Sequence, residues 1–290
     1  MFFQQLINGI VLGSTYALIA LGYTMVYGIV ELINFAHGEI YMCGAFVGMY
    51  LVTVFKVPFV LAFLVAMIMA GLLGVTVEFI AYRPLRRSSR LAALISAIGA
   101  SIFLQNLALL VMGPRPYSFP SPFTPKVYKT SLVIISKVEL IILAVSFLLM
   151  LGLTFLIQKT KIGKAMRATA QDKDAASLMG ININRVITTT FAVGSALGAA
   201  AGVMVGIYFR SVAPMMGLMP GLKGFVAAVL GGIGSIPGAM LGGLLLGVAE
   251  VMGAAYISSQ YRDAVAFTIL IVVLFFKPAG LIGRFLQEKV

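Results

Sequence analysis

Eight or nine apolar runs divide the chain, most of them long enough to cross a bilayer, and that pattern constrains its fold more than any single motif. A helix rises about 1.5 Å per residue, so about 20 apolar residues cover the hydrocarbon core. Such runs lie at about 6–29, 40–55, 59–82, 91–112, 138–157, 186–209, 236–256 and 265–276. A further glycine-rich region, 217–234, is either a span or a re-entrant or broken helix. The proline-rich segment 113–137 is not helical, because Pro114, Pro116, Pro120, Pro122 and Pro125 remove amide donors and clash with a helical backbone. Of 290 residues, 61% are hydrophobic and 10% charged, which excludes a soluble enzyme, a disordered chain and a secreted disulfide scaffold. The expectation is an all-α polytopic integral membrane protein with about eight or nine transmembrane helices, some broken or re-entrant. It forms a single transmembrane domain over 1–290. The N-terminal segment has no basic region before its apolar run, so it reads as the start of the first span and not as a cleaved leader.

Net charge is +12. In a soluble chain that would suggest nucleic acid; here it reads as topology, since Lys and Arg collect in cytoplasmic loops, and no nucleic-acid partner is expected. Arg83, Arg86, Arg87 and Arg90 crowd one short loop. Lys159, Lys161, Lys164, Arg167, Lys173 and Arg185 mark the 158–185 stretch, and Lys277, Arg284 and Lys289 mark the tail. Two spans separate the first two loops, so both face the cytoplasm and the N-terminus lies outside. If 217–234 crosses fully, the tail is cytoplasmic too. Arg115, Lys126, Lys129 and Lys137 then fall in the outer loop, against the usual bias.

Lipid gives helices no hydrophobic reason to associate, so close packing comes from small residues. Gly194, Gly198, Gly202 and Gly206 repeat every four residues, with Ala192, Ala196 and Ala200 beside them. This stripe is either a packing face or a face that slides during transport. Gly9 with Gly13, Gly44 with Gly48, Gly238 with Gly242, and Gly243 with Gly247 follow the same habit.

Little in the chain suits catalysis. Cys43 is the lone cysteine and His37 the lone histidine, so thiolate metal sites and the common triads are absent, and neither a catalytic residue nor a metal is expected. The one Gly-Lys pair, Gly163-Lys164, precedes Ala165, and Gln158 stands where a phosphate-binding loop needs its first glycine. Glu31, Asn34, His37 and Glu39 interrupt the first hairpin. Polar groups at such depth face a cavity or one another, so Asn34, His37 and Glu39 either line a translocation path or form an interface loop. Glu250, mid-span, is a second path candidate, and Lys223 a partner for it. Glu78 is one turn from Arg83 and reads as an ion pair. In the 158–185 stretch, Asp172 or Asp174 is placed to cap a short helix and Gly180 to end it. That helix is either a docking element or an ordinary amphipathic loop.

Asp174-Ala175-Ala176-x-x-x-Gly180 resembles the E-A-A-x-x-x-G signature of ABC importer permeases, with Asp for Glu and without the later I-x-L-P part. The segments LGSTYALIALGYTMVYGIVELINFAHGEIYMCGAF, AYRPLRRSSRLAALISAIGASIFLQN, GKAMRATAQDKDAASLMGININ and GGIGSIPGAMLGG resemble the LivH-type permease of branched-chain amino acid ABC importers, over essentially the whole chain. The resemblance implies one half of a permease pair, completed by a LivM-type subunit. It implies two ATPase subunits holding ATP and Mg, and an extracytoplasmic binding protein delivering Leu, Ile or Val. No cofactor is implied in this chain. The location implied is the cytoplasmic (inner) membrane of a bacterium or archaeon, as a multi-pass protein. Gly163, Asp174, Ala175, Ala176 and Gly180 fall in the coupling segment, about 163–180. Similar permeases carry other amino acids or urea. Arg115, Lys126 and Lys129 are then a docking surface for the binding protein or a plain connector. A permease supplied in this way needs only a mostly apolar cavity without a dense polar cluster. The competing classes are an ion-coupled secondary transporter, using Glu31, Glu39 and Glu250, and an intramembrane enzyme.

Overall fold

The chain runs in order through α1 (Phe2–Val30), α2 (His37–Thr53), α3 (Phe59–Val77) and α4 (Arg90–Met112). Short strands β1 (Tyr117–Ser118), β2 (Val127–Lys129) and β3 (Ile134–Ser136) follow, then α5 (Lys137–Lys159), α6 (Lys161–Gln171), α7 (Lys173–Leu178) and α8 (Ile183–Phe209). β4 (Ser211–Val212), α9 (Leu218–Gly231), α10 (Ile236–Tyr256) and α11 (Arg262–Phe276) complete it. The computed structural model describes residues 1–86, 88–130 and 133–283. Arg87, Arg284 and Lys289, counted above among the cytoplasmic positives, lie outside the described residues.

Among the described residues seven helices are long and apolar enough to cross a membrane: α1, α3 with its extension to Leu85, α4, α5, α8, α10 and α11 with the turn before it. The two remaining apolar helices are shorter. α2 has 17 residues and α9 has 14, so they reach about 26 Å and about 21 Å, less than the roughly 30 Å hydrocarbon core.

α1 and α8 form the centre, because small residues let their neighbours approach to backbone contact. α10 lies antiparallel to α1, with Val248 against Gly9, Leu244 against Gly13 and Ala17 against Gly243. Gly238 and Gly242 meet Gly231 and Ala227 of α9, and Gly44 and Gly48 meet Ala199 and Val203 of α8. On the α8 stripe, Gly194 touches Gly22 of α1, Gly198 the His37 ring, Gly202 the Tyr41 carbonyl and Gly206 the Phe119 ring. α4 and α11 carry large apolar side chains instead and leave most of them exposed on the perimeter.

Two faces follow from the contacts. Gln4 of α1 accepts from the Ile134 amide at 2.8 Å and donates to its carbonyl at 2.9 Å, which puts the start of α1 beside the β2–β3 hairpin. At the other face Arg86 donates to Asn184 at the start of α8 (2.6 Å), and Lys173 lies 3.7 Å from Glu31 at the end of α1. The 83–86 turn and the α6–α7 unit thus share one basic face, as their charge density requires.

The region 217–234 is the inner half of a broken crossing. α8 ends at the face opposite the basic one, where Ser211 and Val212 pair with Ser118 and Tyr117. The chain then descends without helix to Gly217. α9 starts beside Tyr23 and Ile19, near the middle of α1, and ends against the start of α10. The first hairpin does the reverse. α1 ends at Glu31 in the left-handed region (φ 62°), and the non-helical 31–36 segment climbs to mid-depth, where α2 starts at His37. His37–Glu39 therefore belong to the first turn of α2 and not to the interruption. The two half-helices meet end to end, Gly38 against Gly217 and Gly221. Two triplets of opposite direction result: α1–α2–α3 and α8–α9–α10, with α1 packed on α9 and α10 as α8 is on α2 and α3.

Candidate functional site

The break between α1 and α2 holds one cluster of buried polar groups. His37 is wedged between Gly22 and Gly198: a side chain on Gly22 would collide with the ring, and one on Gly198 would press against it. Its ring stands edge-on to Tyr23, centroids 4.8 Å apart, and lies near the Ile19 backbone; Nε2 makes no hydrogen bond of normal geometry among the described residues. Asn34 Oδ1 accepts from the Tyr82 hydroxyl at 3.2 Å, while its Nδ2 is unpartnered. Glu39 Oε1 accepts from Ser101 of α4 at 3.4 Å, and Oε2 is buried without a partner. Sequence reasoning grouped these three residues, and the structure brings them to one half-helix start.

Glu250 lies elsewhere, in a second cluster. Lys223 of α9 is 2.9 Å from Glu250 Oε1 of α10 and 2.6 Å from Asp263 of α11. Arg262 Nε lies 2.5 Å from the same Glu250 oxygen without pointing its hydrogen at it. The Tyr16 hydroxyl lies near Glu250, and Glu250 Oε2 makes no hydrogen bond of normal geometry. Lys223 also stands 5.9 Å from the centroid of the Tyr16 ring. The pairing of Lys223 with Glu250 expected from sequence is present. The expectation of a cavity without a dense polar cluster is corrected: four charges converge, because α9, α10 and α11 pack together and collect residues 40 positions apart. Arg262 and Asp263 were missed because the last apolar run was started after them. The one signal, a charged doublet opening an apolar run, does not distinguish a site from a solvated span end.

This cluster borders a cavity of about 140 Å³ lined by Leu12, Tyr16, Ile19, Tyr41, Val205 and Lys223, among others. A shallower recess of about 290 Å³, reaching Gln5 and Asn8 near the start of α1, shares Leu12, Phe209 and Arg262 with it. The cavity thus opens toward the face opposite the basic one. Tyr41, two residues after Glu39, lines the cavity and leaves its hydroxyl unpartnered, so α2 touches both clusters.

At the basic face Glu78 is fully buried and binds Arg83 at 3.0 Å, Arg86, and the Thr188 hydroxyl at 2.9 Å. The expected Glu78–Arg83 pair is there, with Arg86 added where α3 passes into a π-helical turn, Glu78–Tyr82. The 158–185 stretch forms two helices rather than one. Thr160 caps α6, accepting from Gly163 at 3.0 Å. Asp172 caps α7, accepting from Asp174 and Ala175 at 2.9 Å each, so the cap is Asp172 and not Asp174. Gly180 ends α7 at φ +80°. Gly163, Met166, Thr169 and Ala176 turn inward and are buried, while Asp174, Ala175, Leu178, Met179 and Gly180 are exposed. Arg115, Lys126 and Lys129 are exposed on the 113–137 loop.

Residues 5–274 match the model of the family described as branched-chain amino acid transport system / permease component. The chain belongs to this family. It is 49% identical to the high-affinity branched-chain amino acid transport system permease protein LivH of Salmonella typhimurium, over all of this chain and 98% of that one. It is 48% identical to the corresponding protein BraD of Pseudomonas aeruginosa, over the same shares. The solved structure of PsaBC from Streptococcus pneumoniae in complex with Fab superposes with a TM-score of 0.51 at 12% identity, covering 94% of this chain and 91% of that one, a likeness of fold alone. The permease described here is therefore a multi-pass membrane protein of a transport family.

Proposed function

We propose that this permease is one of two membrane subunits of an ATP-driven importer for branched-chain amino acids in a cytoplasmic membrane. It works by alternating access with a LivM-type partner. Two separate ATPase subunits bind ATP and Mg and dock on α6–α7, and an extracytoplasmic binding protein delivers the solute near Arg115, Lys126 and Lys129. The observation that carries the reading is the α6–α7 unit. It is held to the bundle by its buried side and presents Leu178 and Met179, 89% and 83% exposed, away from it. Exposed apolar side chains at the end of a short basic-face helix suit insertion into a cleft of a partner. Its partial E-A-A signature and the family membership support the same role.

The test is uptake by the complete complex in proteoliposomes, with residues 172–180 scrambled. Uphill accumulation should be lost and ATP hydrolysis should no longer respond to loaded binding protein. Accumulation that persists refutes the reading. The broken α2 and α9, with buried Glu39 and Glu250, also suit an ion-coupled secondary transporter. A proton or sodium gradient driving uptake without ATP would favour that instead. A binding protein that selects another amino acid or urea would change the substrate alone.

A further inference from the structure

We propose that the cavity at Lys223 and Glu250 is a transit site for a zwitterionic apolar amino acid. Its carboxylate is taken by Lys223 and Arg262, its ammonium by Glu250 and Asp263, and its side chain by Leu12, Ile19 and Val205. This rests on the importer reading and names where, in this chain, the solute is held.

The charge balance selects the guest. Lys223 and Arg262 match Glu250 and Asp263, so the four-residue network is neutral. A cation or an anion entering it leaves one uncompensated charge beside the buried Lys223 and Glu250, which is unfavourable. A zwitterion adds one charge of each sign, and each finds opposite partners already in place. The network also has capacity to spare. Two cations crowd Glu250 Oε1 while Oε2 makes no hydrogen bond of normal geometry, and the Arg262 Nε–H is not spent on it. Both atoms are buried in residues that line the cavity, with the Tyr16 hydroxyl beside Glu250.

Access and size agree. Exposure rises outward from Glu250 (0%) and Lys223 (7%) to Arg262 (36%) and Asp263 (51%), so a solute arriving from the recess meets charge before it is enclosed. The cavity of about 140 Å³ is smaller than the roughly 300 Å³ at which drug-sized pockets begin, and suits a single small solute. Pro220 and Lys223, in the first turns of α9, also line it. The positive end of that half-helix favours a carboxylate over an ammonium there. Leu12, Ile19, Val205 and Phe209 give the remaining wall an apolar side for a branched aliphatic chain, with Thr15, Tyr16 and Tyr41 as its polar members.

The test reads occupancy and not transport. In the complete complex carrying Cys43→Ala, Val205→Cys puts a thiol in the cavity wall. A membrane-impermeant methanethiosulfonate reagent is added from the binding-protein side. Leucine at about twice its dissociation constant should slow labelling about threefold, the factor 1 + [L]/Kd. Isovalerate, a carboxylate alone, and isoamylamine, an ammonium alone, should not protect at the same concentration. Adding Glu250→Gln should abolish protection. Asp263→Asn, at a half-exposed position that leaves the buried pair intact, should weaken it and serves if the first variant does not assemble. A thiol at 205 that never labels, or equal protection by the two analogues, overturns the proposal. So does absent protection in a complex that still takes up leucine with ATP, which leaves the importer reading standing. A complex that takes up no branched-chain amino acid overturns the importer reading, and the site with it.

Discussion

Leu178→Ala isolates partner docking from folding. The side chain is 89% exposed, so removing three carbons takes almost nothing from the fold. Surface changes of this kind stay within about 0.5 kcal/mol. If Leu178 is buried in a cleft of the ATPase subunit, the same three carbons are worth up to about 2 kcal/mol at about 0.8 kcal/mol each. At about 1.4 kcal/mol per decade that weakens ATPase-subunit binding about thirtyfold. The assay is a titration of purified ATPase subunits onto the membrane subunits in nanodiscs, read by anisotropy of a labelled ATPase, with uptake measured at each concentration. The midpoint should move about thirtyfold, uptake should recover at high ATPase concentration, and thermal unfolding of the membrane subunits should not change. Ala176 is the contrast. It is 4% exposed and faces the bundle, so Ala176→Leu should lower the melting temperature. An unmoved midpoint for Leu178→Ala, with uptake intact, refutes the assignment of α6–α7 as the foothold.

Further outcomes follow from the packing, the charges and one helix cap. Gly13→Ala would place a methyl 2.8 Å from Leu244 Cα, so it should cost about 1–3 kcal/mol. Gly99→Ala meets nothing within 4 Å and should be neutral or stabilising by up to about 1 kcal/mol; thermal melts of the purified complex decide. Glu250→Gln should lower the melting temperature more than Asp263→Asn, because Glu250 is fully buried against two cations while Asp263 is half in solvent. Asp172→Ala removes the cap of a six-residue helix and should cost about 1 kcal/mol locally, seen as faster amide exchange at 173–178 with the bundle unchanged.

The long helices were legible because a run of 20 apolar residues has few alternatives in lipid, and the glycine rows because close approach demands them. The break at 31–39 was legible as polarity at depth. The break before α9 was legible only as an alternative, because Ser211–Gly217 is nearly as apolar as a helix would be; Pro214 and the glycines allow a re-entrant or broken helix at 217–234 without choosing it over a span. Lys223 and Glu250 could be paired from sequence since each is an isolated ion in an apolar run. Arg262 and Asp263 could not, because a charged doublet at a span end is cheap to solvate and reads as loop. The end-to-end meeting of α2 and α9 is a tertiary fact between segments 180 residues apart, and neither segment carries a pattern that names the other.

Two links join the α6–α7 unit to the helix that lines the cavity, and they differ in strength. One visible link is the Lys173–Glu31 pair, 3.7 Å apart with both side chains substantially exposed (40% and 58%). An exposed pair of this kind is worth about 0–1 kcal/mol, too little to move a helix against its packing. The other link is steric. α6 packs on α5, α1 and α8, and Gly163 sits so close to the Leu156 and Ile157 carbonyls that no side chain fits. α1, which α6 also touches, is one unbroken 29-residue helix that reaches Leu12, Tyr16 and Ile19 in the cavity wall. Packed elements with no slack transmit displacement, and a solvated ion pair does not. Gly163→Ala should therefore lower uptake per ATP hydrolysed in proteoliposomes far more than Lys173→Gln. The opposite ranking would mean that the charge pair and the 31–36 break carry the stroke, and α1 only stands between them.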